Sequence, residues 1–147
     1  MVIGKLMLGT AALWLAACAP GPKSSHGFRL PDGDAGAGKT AFTVLGCVNC
    51  HTVQGAELVE PEQRGVEVRL GGKVHRVHTY GELVTAVVHP SHDISKAYPT
   101  EAVSRDGESL MVDMNDTMTV QQLIDVVAFL QAAYEEYLPE DYDPYFP

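Results

Sequence analysis

Apolar residues run from Leu6 to Ala17 with only Gly9 and Thr10 between them, and Lys5 is the single charge in the first 17 residues. A run of that length predicts the core of an export signal and falls short of the roughly 20 apolar residues a membrane span needs. From Ala19 to Gly38 the pattern disappears into Pro20, Pro22, Pro31, Ser24, Ser25 and five glycines. Such a composition buries no core and predicts a flexible tether. Periodicity begins at Lys39, where Ala41, Phe42 and Leu45 form the inner face of a helix expected over 39–50. Residues 54–62 read as loop. Val66, Val68 and Leu70 alternate with polar residues, and Lys73–Val77 follows across Gly71-Gly72, a pattern that predicts a β-hairpin near 66–77. Thr79 and Glu82 form a capping box for a helix that Pro90 must stop by His89. Residues 91–118 lack sustained periodicity and predict a loop, with a short helical turn near 107–111. Thr119 and Gln122 form a second box. It opens the strongest helix, with Val120, Leu123, Ile124, Val127, Leu130, Tyr134 and Tyr137 at three- and four-residue spacing until Pro139 ends it. The pattern therefore predicts a mainly α domain over 39–138 with one small β-hairpin insertion, a signal at 1–17, a linker at 18–38 and a tail at 139–147.

The chemistry is concentrated in Cys47-Val48-Asn49-Cys50-His51. C-x-x-C-H is the attachment signature of a c-type haem: two thiols one turn apart each form a thioether to a vinyl group, and the adjacent imidazole meets the iron. A zinc site or a thiol–disulfide pair could use the two thiols alone. The zinc reading needs two further Cys or His at ligand spacing, and the sequence has no second C-x-x-C. The expected cofactor is one covalent haem c. There is no nucleophile elbow, phosphate loop or paired-carboxylate constellation. Asp113, Asp116 and Asp125 surround the start of the last helix, where negative charge favours the dipole.

The third cysteine, Cys18, ends the run Leu15-Ala16-Ala17-Cys18, which resembles a bacterial lipobox. That resemblance implies cleavage before Cys18 and a lipid on its new N-terminus; an ordinary cleaved signal is the alternative. With residues 1–17 removed, nine basic residues face nineteen acidic ones, a formal charge of −10. Such a surface does not suit nucleic acid or anionic lipid, and it is able to steer a partner that docks through a basic face.

A haem motif at the end of a first helix, a long methionine-bearing loop and a capped amphipathic last helix resemble a class I cytochrome c. The segment Met114-Asn-Asp-Thr-Met-Thr119 followed by Leu123–Leu130 carries the second half of that resemblance. It implies a helical fold around one haem, with the first and last helices crossed through Phe42 and Phe129 or Tyr134. The iron ligands it implies are His51 and Met114, with Met111 as the fallback; Met118 reads better as a staple onto the last helix. Two features depart from the family: the usual Met-Pro pair is Met114-Asn115, and the 66–77 hairpin is not a standard element. The resemblance also makes the neighbourhood of Pro61 the acceptor for the His51 Nδ1–H. Candidate partners of the haem carboxylates are Tyr80, Tyr98, Arg69, Arg76 and Arg105. His75, His78, His89 and His92 read as surface residues.

These features predict an electron-transfer protein rather than an enzyme: a membrane-tethered single-electron carrier in the bacterial cell envelope, free or as a subunit of an oxidoreductase complex. Its expected partners are redox proteins, with the Cys18 lipid holding it at the membrane. The alternative is a haem enzyme or gas sensor with an open sixth position.

Overall fold

The computed structural model describes residues 28–137. The chain divides into two compact units, residues 1–30 and 31–147, and every described helix and strand belongs to the second. The expected signal peptide, Cys18 and the linker as far as residue 27, and the acidic tail lie outside the described residues.

Among the described residues four helices and six short strands follow in order: α1 Ala35–Val44, a 3₁₀ turn at Cys47–Asn49, β1 His51–Val53, β2 Val68–Leu70, β3 Gly72–Val74, α2 Tyr80–Val88, α3 Thr100–Val103, β4 Ser104–Arg105, β5 Glu108–Ser109, α4 Val120–Ala132 and β6 Tyr134–Glu136. The fold is mainly α, as the sequence predicts. Both capping boxes close: Thr79 and Glu82 open α2, and Thr119 and Gln122 open α4, each side chain meeting the other's backbone N–H.

The core is the crossing of α1 and α4. Phe42 and Phe129 meet edge-on with ring centroids 5.6 Å apart, so of the two expected partners for Phe42 the structure uses Phe129. Around them pack Ala41, Leu123, Ile124, Val126, Val127 and Leu130, with Phe42 2% and Val127 0% exposed. Each such large side chain contributes about 1.5–3 kcal/mol by leaving water. Val120, placed on the inner face by its spacing, is 64% exposed.

Helix α1 starts four residues earlier than expected, inside the stretch read as linker. Asp34 caps it by accepting the Ala37 N–H at 2.8 Å, and its own N–H donates to the buried Asp125 carboxylate at 2.9 Å. The glycines here serve packing. A Cβ on Gly38 would overlap the Asp125 carbonyl oxygen and come within 2.8 Å of the Phe129 Cβ. Gly38 therefore lets two helix backbones touch.

The expected 66–77 hairpin does not form. Its two strands exist, but Val68–Leu70 pairs in parallel with His51–Val53, and Gly72–Val74 pairs in parallel with Tyr134–Glu136. Gly71 and Gly72 have φ of 79° and 83°, the left-handed values a tight hairpin turn would also use. What decides is where the neighbouring groups bond. The Leu70 carbonyl accepts from the Gln54 N–H at 2.8 Å, and the Gly72 N–H donates to the Ala133 carbonyl at 2.7 Å. The two glycines hand the chain from one strand pair to another.

The last helix also ends sooner than expected, at Ala132, because Tyr134–Glu136 is drawn into the ladder with β3. Glu135 and Glu136 thus lie on a strand, not in the last turn of the helix. The methionine loop carries a two-stranded hairpin, β4–β5, turned by Asp106 and Gly107 at φ 54° and 83°. Asp-Gly is a strong signal for that turn.

Candidate functional site

The haem motif does not close the first helix, contrary to the expectation from sequence. After α1 ends at Val44 the chain turns through Leu45 and Gly46, and Cys47–Asn49 forms a separate 3₁₀ turn. The Cys50 N–H donates to the Cys47 carbonyl at 3.2 Å. Cys50 caps this turn, close enough for its sulfur to act on the Cys47 thiol. Both are free of disulfide and partly accessible, while Val48 between them is buried.

Burial pushes the Cys47 thiol up from its ordinary range, and the Cys50 sulfur adds to the effect against a backbone hydrogen bond that lowers it. Cys47 therefore stays a protonated thiol at neutral pH. Dithiol redox catalysts work the other way, with a depressed thiolate pKa. The zinc alternative finds no support either: among the described residues no group of three or more Cys, His, Asp or Glu is placed to hold a metal ion.

His51 opens β1 in register with Val68, and the Val68 N–H donates to the Cys50 carbonyl at 2.8 Å. Its ring lies 6.3 Å from the Phe42 ring, against the α1–α4 core. Burial holds the imidazole below its ordinary pKa, the Val68 backbone opposes that shift, and the Arg64 cation reinforces it. The neutral ring is the form that binds a metal. Nδ1 makes no hydrogen bond of good geometry, and the backbone group that acts on the ring is that of Val68, not one near Pro61.

Two other buried polar atoms among the described residues lack partners, Arg64 Nη1 and the Tyr80 hydroxyl. Arg64 binds Glu60 through Nη2 at 2.7 Å with its side chain only 16% exposed, which leaves Nη1 enclosed with nothing to donate to. Tyr80 is held above its ordinary pKa by burial and by the nearby Asp32 carboxylate, so its proton remains available to donate. An enclosed guanidinium fork and a phenol are complementary to carboxylates, which a haem carries on its edge. Together with two accessible thiols and a neutral imidazole, these groups fit a covalently held haem.

Of the residues expected at the carboxylates, only Tyr80 is placed this way. Arg76 is engaged in a two-pronged pair with Glu82 at 2.9 and 3.0 Å, and Arg69 leans on Glu67 at 3.4 Å; both side chains face solvent. Arg105 is exposed on β4. The Tyr98 oxygen accepts the Arg69 backbone N–H at 2.9 Å. Arg64 is not among the residues expected from sequence, where its only signal is Glu60 four residues before it.

Met114 lies on the loop before α4. Its carbonyl accepts from the N–H groups of Thr117 at 3.0 Å and Met118 at 2.8 Å, forming the turn that leads to the Thr119 cap. Asn115, where the family has proline, donates through Nδ2 to the Val88 carbonyl at 2.8 Å and ties the loop to the end of α2. The Met111 N–H is taken by the Ser109 hydroxyl at 3.1 Å. Met111, Met114 and Met118 are all half-buried, so exposure does not choose among them. A cleft of about 630 Å³ bordered by Gln54, Lys73, Phe129, Tyr134 and Glu135 includes none of the motif residues and no methionine, so it is not the haem site.

The family model described as Cytochrome c matches residues 35–133. No curated protein and no solved structure matches the chain.

Proposed function

The chain belongs to the cytochrome c family, as a class I member with one covalent haem c, and from that premise we propose that it is a membrane-tethered carrier of single electrons. The observation that carries the reading is the Cys47 and Cys50 pair across one 3₁₀ turn next to a half-buried, neutral His51. Cys47 and Cys50 hold the haem covalently, His51 supplies the nitrogen ligand and Met114 the sulfur ligand. Arg64 and Tyr80 neutralise and hydrogen-bond its carboxylates. When bound, the haem supplies a one-electron iron couple whose potential a thioether ligand raises. Phe42 and the α1–α4 core exclude water from the His51 side, which limits reorganisation when the charge changes.

Potentiometric titration of the holoprotein is expected to give one wave with a one-electron slope. Turnover of peroxide at the haem, or a wave that small-molecule ligands displace at low concentration, contradicts the carrier reading in favour of a haem enzyme or sensor.

Cytochrome c domains in bacteria stand outside the cytoplasm, and none of the described helices is long and apolar enough to cross a membrane. The Leu-Ala-Ala-Cys18 run supports attachment through a lipid on Cys18, with the following Pro/Gly/Ser-rich segment giving reach. Cys18→Ser is expected to move haem-bearing protein into the soluble fraction once the signal is cleaved; retention in membranes with the signal removed contradicts the anchor. The acidic surface favours a redox partner with a basic docking face, whether the domain travels alone or serves a larger oxidoreductase complex.

A further inference from the structure

Helix α2 ends on a carbonyl that the helix itself does not pair. In a continuing helix the Val88 carbonyl would accept from the N–H four residues on, that of His92. Pro90 stops the helix, and the His92 N–H turns back to the His89 carbonyl at 2.9 Å. The Val88 carbonyl is met from elsewhere: Asn115 donates to it through Nδ2 at 2.8 Å, across 27 residues of sequence. The Asn115 backbone is engaged as well, its N–H donating to Asp113 Oδ1 at 2.8 Å. Met114 lies between these two residues, and its own carbonyl closes the turn to Thr117 and Met118. The residues on either side of Met114 are therefore bonded to each other, and one of them is bonded to a helix.

We propose that Asn115 is a positioning residue for Met114: its amide ties the methionine loop to the end of α2 and so favours the state in which the sulfur is on the iron. The inference rests on Met114 being the sulfur ligand, as proposed above. A proline at position 115 has no N–H and no side-chain donor, so it could make neither bond. This chain holds the loop by a tie to another element instead of by a stiff residue within it. Because Asn115 follows Met114 directly, movement that takes the sulfur off the iron pulls the amide away from Val88. The tie then stabilises the ligated state and not the open one, and its loss raises the population of the open state. A ligand that binds only the open state gains apparent affinity in proportion to that population.

The test titrates imidazole into the ferric holoproteins of wild type, Asn115→Ala and Asn115→Asp. A proton spectrum of each ferrous form accompanies it. In ferrous wild type the Met114 methyl signal should be shifted far upfield by the porphyrin ring current. Its absence there would remove the ligand reading, and this proposal with it, whatever the variants do. With the signal present, Asn115→Ala is expected to bind imidazole about threefold more tightly than wild type. That is toward the low end for one hydrogen bond, because the tie is open to solvent. Asn115→Asp keeps the shape and loses the donor, and its charge faces the carbonyl end of α2, so its affinity should rise at least as far. Unchanged affinity in both variants, even with a lower Tm, would make Asn115 a structural contact only and overturn the proposal. A rise in Asn115→Ala without one in Asn115→Asp would overturn it too, since shape and not donation would then matter. If Asn115→Ala fails to retain haem, Asn115→Asp decides in the same way, and failure of both variants overturns the proposal.

Discussion

Gly38→Ala is expected to be the most damaging single-methyl change in the domain. The new Cβ would overlap the Asp125 carbonyl oxygen on α4, with the Asp125 carbonyl carbon 2.5 Å away and the Phe129 Cβ at 2.8 Å. Two of these three atoms are backbone, so no side-chain rotation relieves the overlap and α1 must move off α4. Overpacking of that kind costs about 3 kcal/mol, near the top of the usual range. For a domain of this size the corresponding fall in Tm is roughly 10–20 °C. Gly36→Ala, two residues earlier on the same helix, is the control. Its Cβ meets only the Asp34 carboxylate at 3.1 Å, the end of a side chain rather than backbone. The Tm of Gly36→Ala should therefore change much less than that of Gly38→Ala. Equal shifts would mean that the helices do not touch at Gly38.

Met114→Ala is expected to leave the haem covalently attached and to change everything the sulfur ligand supplies. Loss of the thioether should abolish the far-red ferric absorption of sulfur ligation. It should also lower the potential by an amount on the order of tenths of a volt, within the roughly 0.8 V that axial ligation spans. The turn on which Met114 sits is built from backbone groups, its carbonyl to Thr117 and Met118, so the substitution should spare the fold. An unchanged spectrum in Met114→Ala, with the band lost in Met111→Ala, would transfer the ligand role to Met111.

What the sequence made legible was local. Helices α2 and α4 announce themselves because a Thr and a Glu or Gln three residues later satisfy each other's backbone donors, and the apolar period then continues from the box. The haem motif is legible for the same reason, since its chemistry fits within five consecutive residues. What the sequence concealed was long-range. Parallel pairs such as His51 with Val68 or Gly72 with Tyr134 join segments with no adjacent turn to mark them, so Gly71-Gly72 reads as a hairpin. Gly36 and Gly38 read as linker because a glycine needed for close helix contact looks, in sequence, like one needed for flexibility. Arg64 becomes a candidate for the haem carboxylates only once burial is seen to leave its Nη1 without a partner.

Carbon monoxide added to the ferrous wild-type holoprotein tests the six-coordinate electron carrier most directly. With His51 and Met114 both on the iron, no position is open, and the visible spectrum should not shift on exposure to the gas. A rapid shift at low carbon monoxide concentration would show an open sixth position and would contradict the assignment of this cytochrome as a carrier.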